Sequence, residues 1–228
     1  MTASMPPKGI ITVLNTPFTC DNTLDIAGLA QNVENAIAAG VAGFLVPAMA
    51  GEVDKLTRDE RERIVRTVVE VSEGRVPVIG GASASTQQER LFWTKALVAL
   101  GCDGVLVNLP FDNEAAYEQN IREIADHEPP FLMIQDWDER GYGVPVSLVA
   151  RLFEEIESFK SLKIEVVPAG VKYTEVRRAT SGALHVAGGW AVMQMIEALD
   201  RGVDAFMPTG MHPVYTRIYA LYTAGRRA

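Results

Sequence analysis

Short apolar runs alternate with longer amphipathic stretches about eight times along this chain. The runs at 9–14, 43–47, 76–80, 104–109, 130–135, 162–167, 183–187 and 205–208 have the length and composition of buried strands. Between them, 26–39, 58–72, 87–100, 113–125, 146–158, 191–201 and 213–223 carry apolar residues three and four apart, the spacing of one helix face. Thr57 followed by Glu60 predicts a capping box that starts the second helix. Glycine-bearing turns at 39–43, 100–104 and 201–205 read as helix C-caps that lead into the next strand.

Strands and helices in strict alternation, with no Pro/Ser linker, predict one (β/α)8 TIM barrel domain over residues 1–228. A doubly wound open sheet is the rival, but Thr16-Pro17-Phe18 stands where a dinucleotide fingerprint needs GxGxxG. Gly80-Gly81 reads as a close backbone approach rather than a phosphate cradle.

At 228 residues and 48% hydrophobic content the chain has material for a large core. Its net charge of -8 and lack of a Lys/Arg block argue against a nucleic-acid partner. Cys20 and Cys102 lie far apart without metal or redox spacing, and His127, His185 and His212 are too scattered for a ligand set, so no metal is expected. Residues 1–8 have no apolar signal core and no membrane partner is expected; the cytoplasm is the expected compartment.

Lys163 changes the picture, because it interrupts the sixth apolar run. A lysine in a buried strand loses part of its hydration, which favours the neutral amine that attacks carbonyls. Alternation puts Leu162, Ile164 and Val166 on one face and Ser161, Lys163, Glu165 and Val167 on the other. The Lys163 and Glu165 pair is then either a structural salt bridge or a nucleophile beside an acid/base. Barrel active sites form at the C-terminal strand ends, and there the chain places Thr16, Met49-Ala50-Gly51-Glu52, Asn108, Phe111-Asp112, Gln135-Asp136 and Gly188-Gly189-Trp190.

Several motifs fall in order along these ends: Thr16-Pro17-Phe18, Gly51-Glu52 with Leu56-Thr57-Arg58-Asp59-Glu60-Arg61, Gly74-Arg75-Val76-Pro77-Val78-Ile79, Gly101-Cys102-Asp103-Gly104 and Lys163. In these the chain resembles the dihydrodipicolinate synthase and N-acetylneuraminate lyase superfamily of class I aldolases over essentially its whole length. The resemblance implies an imine between Lys163 and pyruvate or another 2-oxo acid, no cofactor, and a homo-oligomer, dimer or tetramer. It also implies a C-terminal helical region that this chain mostly lacks. By position it makes Thr16, Met49, Ala50, Gly51, Asp136, Arg140, Gly188 and Phe206 substrate-binding residues, although a solvated loop charge remains the alternative for Arg140.

The departures define what is expected of the site. The family's Thr-Thr pair before Gly-Glu is Met49-Ala50, which removes two hydroxyls and leaves backbone N–H groups to hold a carboxylate. Its tyrosine at the end of strand five falls on Gln135, and the tyrosine pair after Pro110 falls on Phe111-Asp112. A glutamine orients a carbonyl or hydroxyl but exchanges no proton near neutrality, so Glu165 is expected to replace the phenol as acid/base. Gln135-Asp136 with Lys163-Ile164-Glu165 resembles the 2-keto-3-deoxyarabonate dehydratase branch, which implies elimination of water from a sugar-derived acid. The competing expectation is a degenerate barrel that binds a 2-oxo acid or sugar acid as a sensor, favoured by the lost hydroxyls and opposed by the retained Lys163 and Glu165.

Overall fold

The computed structural model describes residues 5–189 and 194–226. Its strands are β1 (Gly9–Val13), β2 (Gly43–Val46), β3 (Val78–Gly81), β4 (Gly104–Asn108), β5 (Leu132–Asp138), β6 (Phe159–Val166), β7 (His185–Gly188) and β8 (Ala205–Phe206). They pair in sequence order, all parallel, and β8 closes onto β1. The expected (β/α)8 barrel is therefore the fold. Around it lie α1 (Ile26–Ala38), α2 (Arg58–Ser72), α3 (Gln87–Ala99), α4 (Glu114–Ala125), α5 (Val146–Glu155), α6 (Ala169–Ala179), α7 (Met195–Asp200) and α8 (His212–Thr223).

Side-chain caps start α1, α2, α3 and α4, at Asp25, Thr57, Thr86 and Asn113. Thr57 and Glu60 form the reciprocal capping box of α2, with Glu60 accepting the Thr57 N–H at 2.8 Å. After α1, α3 and α7 the chain turns at Gly40, Gly101 and Gly202, with φ of 83°, 89° and 82°, a conformation that costs glycine nothing. Trp190 and the expected start of the seventh helix at 191–193 lie outside the described residues.

The helix α6 is absent from the periodicity reading. Its buried face holds Ala169, Lys172, Tyr173 and Val176, and a lysine in the middle of that face breaks the apolar spacing. Strand β5 likewise runs three residues past its expected end, because Asp136, Trp137 and Asp138 pair with Ile164, Glu165 and Val166 of β6. This longest ladder of the barrel carries the lysine strand.

Strand alternation divides the interior into two cores. Between strands and helices lies the larger one, containing Phe44, Leu162, Ile164, Val166 and Phe206. Inside the barrel Ile11, Val13, Leu45, Ile79, Leu106, Met133, Ala187 and Met207 form a second. Phe131 fills its base at the start of β5, and Gly104 must be glycine because a Cβ there would run into the Phe131 ring.

Below Lys163, Ser161 Oγ lies 2.7 Å from His185 Nδ1, while His185 Nε2 lies 3.0 Å from the Pro7 carbonyl. A carbonyl only accepts, so Nε2 carries the proton and Nδ1 accepts from the serine, the neutral tautomer. Burial pushes the His185 pKa below the usual histidine range, outweighing the pull of Asp204. Its contribution is present above the unfolded-state pKa, about 6.5, and is lost as pH falls through the depressed folded value. We therefore expect the thermal midpoint to drop between pH 7.5 and pH 5.5, and to drop less in His185→Gln. Equal drops in both proteins, measured by differential scanning calorimetry, would assign the acid sensitivity elsewhere.

Candidate active site

The site is assembled by register rather than by loops. Gln135 of β5 pairs with Lys163 of β6, and Lys163 with Ala187 of β7. Because Leu106, Met133 and Ala187 face inward, the residues two further on along β4, β5 and β7, namely Asn108, Gln135 and Gly189, meet above them at the C-terminal mouth. Lys163 and Glu165 project into the same space from β6.

Lys163 Nζ lies 3.1 Å from Glu165 Oε2, with the two side chains only 8% and 14% exposed. The Gln135 side-chain amide donates to the same Glu165 oxygen. Asn108 Nδ2 donates to the Gln135 backbone carbonyl at 3.3 Å, and the Asn108 N–H donates to Ser83 Oγ at 3.0 Å. A polar chain thus runs from Lys163 through Glu165, Gln135 and Asn108 to Ser83. Gly189 is shaped to Glu165, since a Cβ on it would collide with that carboxylate. Lys163, Glu165 and Gln135 are the expected catalytic residues, and the structure brings all three together.

The substrate-binding expectations divide along strand parity. Thr16 Oγ1 donates to the Gly51 carbonyl at 2.6 Å, so it ties the β1 loop to the 3-10 turn Met49–Gly51. In that turn the Gly51 N–H is engaged with the Ala48 carbonyl at 2.8 Å. No backbone hydrogen bond from the Met49 or Ala50 N–H is found among the described residues, and both residues are exposed. Arg140 is in a loop with its side chain 90% exposed, within 3.6 Å of Glu139. The structure supports the solvated-charge reading for it.

Three expectations require correction. Asp136 faces away from the barrel interior, where Lys172 Nζ of α6 meets it at 2.5 Å and the Val144 N–H at 2.9 Å. It is a structural anchor for the β5–α5 loop. Phe206 lies in the outer core, edge-on to Tyr219 with centroids 6.5 Å apart. Gly188 pairs with the outward Ile164, so the residue that meets the site is Gly189. In each case the motif spans both faces of a strand, and only alternate residues reach the mouth.

A cavity of about 590 Å³ opens at the ends of β2 to β5, bounded by Gln135 and Asn108 on one side and by Met49, Ser83, Glu89 and Arg61 on the other. Arg61 is 7% exposed and stacks on Trp93, 3.9 Å from the ring centroid. Its Nη2 donates to the Gly81 carbonyl at 3.0 Å, whereas its Nε is buried without a partner. Burial pushes the Arg61 pKa down to about 10, partly offset by Glu89, and the group stays cationic at neutral pH. Sequence reading took Arg61 only as part of a motif; its role in the cavity emerges from the turn of α2 toward β3.

A lysine and a carboxylate thus face inward at the C-terminal mouth of a closed parallel barrel, and similarity to known proteins places the chain further. The model of the dihydrodipicolinate synthetase family matches residues 6–227, and the chain belongs to that family. Over 160 residues, 68% of this chain and 53% of the relative, it is 31% identical to the 4-hydroxy-tetrahydrodipicolinate synthase of Salinibacter ruber. Over 111 residues, 49% of this chain and 37% of the relative, it is 37% identical to that of Gluconacetobacter diazotrophicus. The chain thus spans about half the length of the first of these relatives. A dihydrodipicolinate synthase of Bacillus anthracis superposes with a TM-score of 0.88 at 25% identity, covering 97% of this chain and 77% of that one. No helix among the described residues is long and apolar enough to cross a membrane.

The buried Asp136–Lys172 pair gives a stability prediction. Burial holds the Asp136 pKa up and the Lys172 pKa down, each against the pull of its partner, so each charge depends on the other. Lys172→Met should cost about 3–5 kcal/mol by leaving a buried carboxylate uncompensated, and adding Asp136→Leu should restore most of it. Urea unfolding of both variants checks this, and an unchanged midpoint for Lys172→Met would contradict the pairing.

Proposed function

We propose that this barrel is a Schiff-base lyase of the dihydrodipicolinate synthase type, acting on pyruvate or a sugar-derived 2-oxo acid. The observation that carries this reading is the 3.1 Å approach of Glu165 to a buried Lys163, with Gln135 holding the carboxylate. The Lys163 amine adds to the C2 carbonyl and water leaves, which gives an iminium that draws electrons from C3. Glu165 takes the C3 proton, and the resulting enamine expels the C4 hydroxyl, which leaves as water once protonated. The free Met49 and Ala50 amides supply donors for the substrate carboxylate.

Dehydration fits the site better than a tyrosine-relayed condensation, because Gln135 stands where the phenol would be and cannot relay a proton. The same iminium supports aldol cleavage when the C3–C4 bond breaks instead. Protein of this kind needs no metal, since the iminium is already the electron sink. Residence in the cytoplasm and assembly as a homodimer or homotetramer complete the proposal.

Borohydride with pyruvate is expected to add one reduced three-carbon adduct, located by peptide mass mapping at Lys163. An adduct that persists in Lys163→Ala, or no adduct in the parent protein, overturns the assignment and favours a non-catalytic binder. Glu165→Gln should still be trapped while single-turnover dehydration of 2-keto-3-deoxy sugar acids falls by roughly 10²–10⁴. Near-parental turnover in that variant would leave the pair as a salt bridge only. EDTA should change neither trapping nor turnover.

A further inference from the structure

The last three residues of β5 are held from outside the barrel. Asp136 meets Lys172 of α6, and Asp138 accepts the N–H groups of Arg140 at 3.0 Å and Gly143 at 3.2 Å. The loop that follows folds back over the same outer side, where a Cβ on Gly143 would run into Asp136 and Val166. Trp137 stands between the two anchored aspartates, so strand alternation turns its side chain inward.

Trp137 pairs with Glu165 of β6, one inward position beyond the pair of Gln135 with Lys163. The indole therefore starts beside the carboxylate, about 6.6 Å further along the strands than the lysine's own rung. Below Lys163 the barrel is filled by Ser161, His185 and Met133, all buried. A molecule joined to the lysine can extend only toward the mouth. Trp137 is 41% exposed and belongs to neither core, whereas Trp93 is packed inside the larger one. A lone exposed apolar side chain is ordinary on a protein surface, but this one is fixed at the rung of Glu165, on the way out from Lys163.

We propose that Trp137 is a specificity-determining residue whose indole face receives the carbon chain of the substrate beyond C3, so that the site selects 2-oxo acids longer than pyruvate. This rests on the imine reading above and extends it from the reacting atoms to the tail. A flat apolar face gains free energy with each methylene it covers, and pyruvate, which ends at C3, gains none of it. An alanine at this position would keep the ladder and both anchors and present nothing to the tail.

The test follows borohydride trapping at Lys163 with pyruvate, 2-oxobutanoate, 2-oxopentanoate and 2-oxohexanoate, taking the half-trapping concentration of each acid relative to pyruvate in the same protein. Each added methylene is expected to lower that ratio roughly 2- to 4-fold in the parent, the worth of a partly to fully covered CH2. Trp137→Ala should flatten the series, and Trp137→Phe should keep part of it. A flat series in the parent, or the parent's series unchanged in Trp137→Ala, overturns the proposal; an unchanged series with a changed mass in sedimentation makes the indole a contact between copies instead. Indole emission is an independent reading. Saturating 2-oxohexanoate should shift it to the blue in the parent and not in Trp137→Phe, and an unshifted parent refutes the covering. A parent that traps no acid loses the imine reading alone, because calorimetric titration with the same acids still reads the series. Affinity that rises with length in the parent and not in Trp137→Ala then keeps the platform; a pyruvate adduct with a flat series keeps the imine and sinks the platform.

Discussion

The pairing of β5 with β6 governs this molecule. It places Gln135 against Lys163 and Trp137 against Glu165, so that the amide, the amine and the carboxylate converge at one depth of the barrel. A slip of one residue would send Lys163 and Glu165 into the helix-packed core and bring Leu162 and Ile164 to the mouth. The register is held by the length of the ladder itself and, from outside, by the Asp136–Lys172 pair that ties the end of β5 to α6. The placement of these three groups is thus supported by an ion pair that never touches them.

Burial does two different things to the charged residues here. Lys172 is fully enclosed and bonded to Asp136 and to the Val144 carbonyl at 2.6 Å, so its charge is consumed by structure. Lys163 is nearly as buried, but its polar partners among the described residues reduce to Glu165. Two lysines nine residues apart in one chain thus differ in the number of acceptors around them.

Much of the fold was legible because a parallel barrel writes itself as repeated apolar runs and capped helices. Thr57 with Glu60, and the turns at Gly40, Gly101 and Gly202, are local chemistry that needs no tertiary context. Helix α6 was not legible, since the buried lysine on its inner face looks like a surface residue until its partner on β5 is known. The site was legible where alternation was applied, as for Lys163 and Glu165, and misread where a motif was taken whole. Asp136, Gly188 and Phe206 each adjoin an inward residue and face the other way. Arg61 and Ser83 were hidden for a further reason: they reach the mouth from a helix and a loop, at angles that sequence spacing does not encode.

Glu165 and Lys163 are carried by one strand, two residues apart, and Gly189 of the neighbouring strand end closes against the carboxylate with no side chain between. The spacing of their backbone anchors is therefore set by the strand itself and not by a loop. The loops after β2 and β3, which carry Met49, Ser83 and Ser85, lie on the opposite rim. The lysine–carboxylate pair and the cavity rim are thereby written on separate parts of the chain, so that sequence drift in the rim leaves the pair's geometry intact.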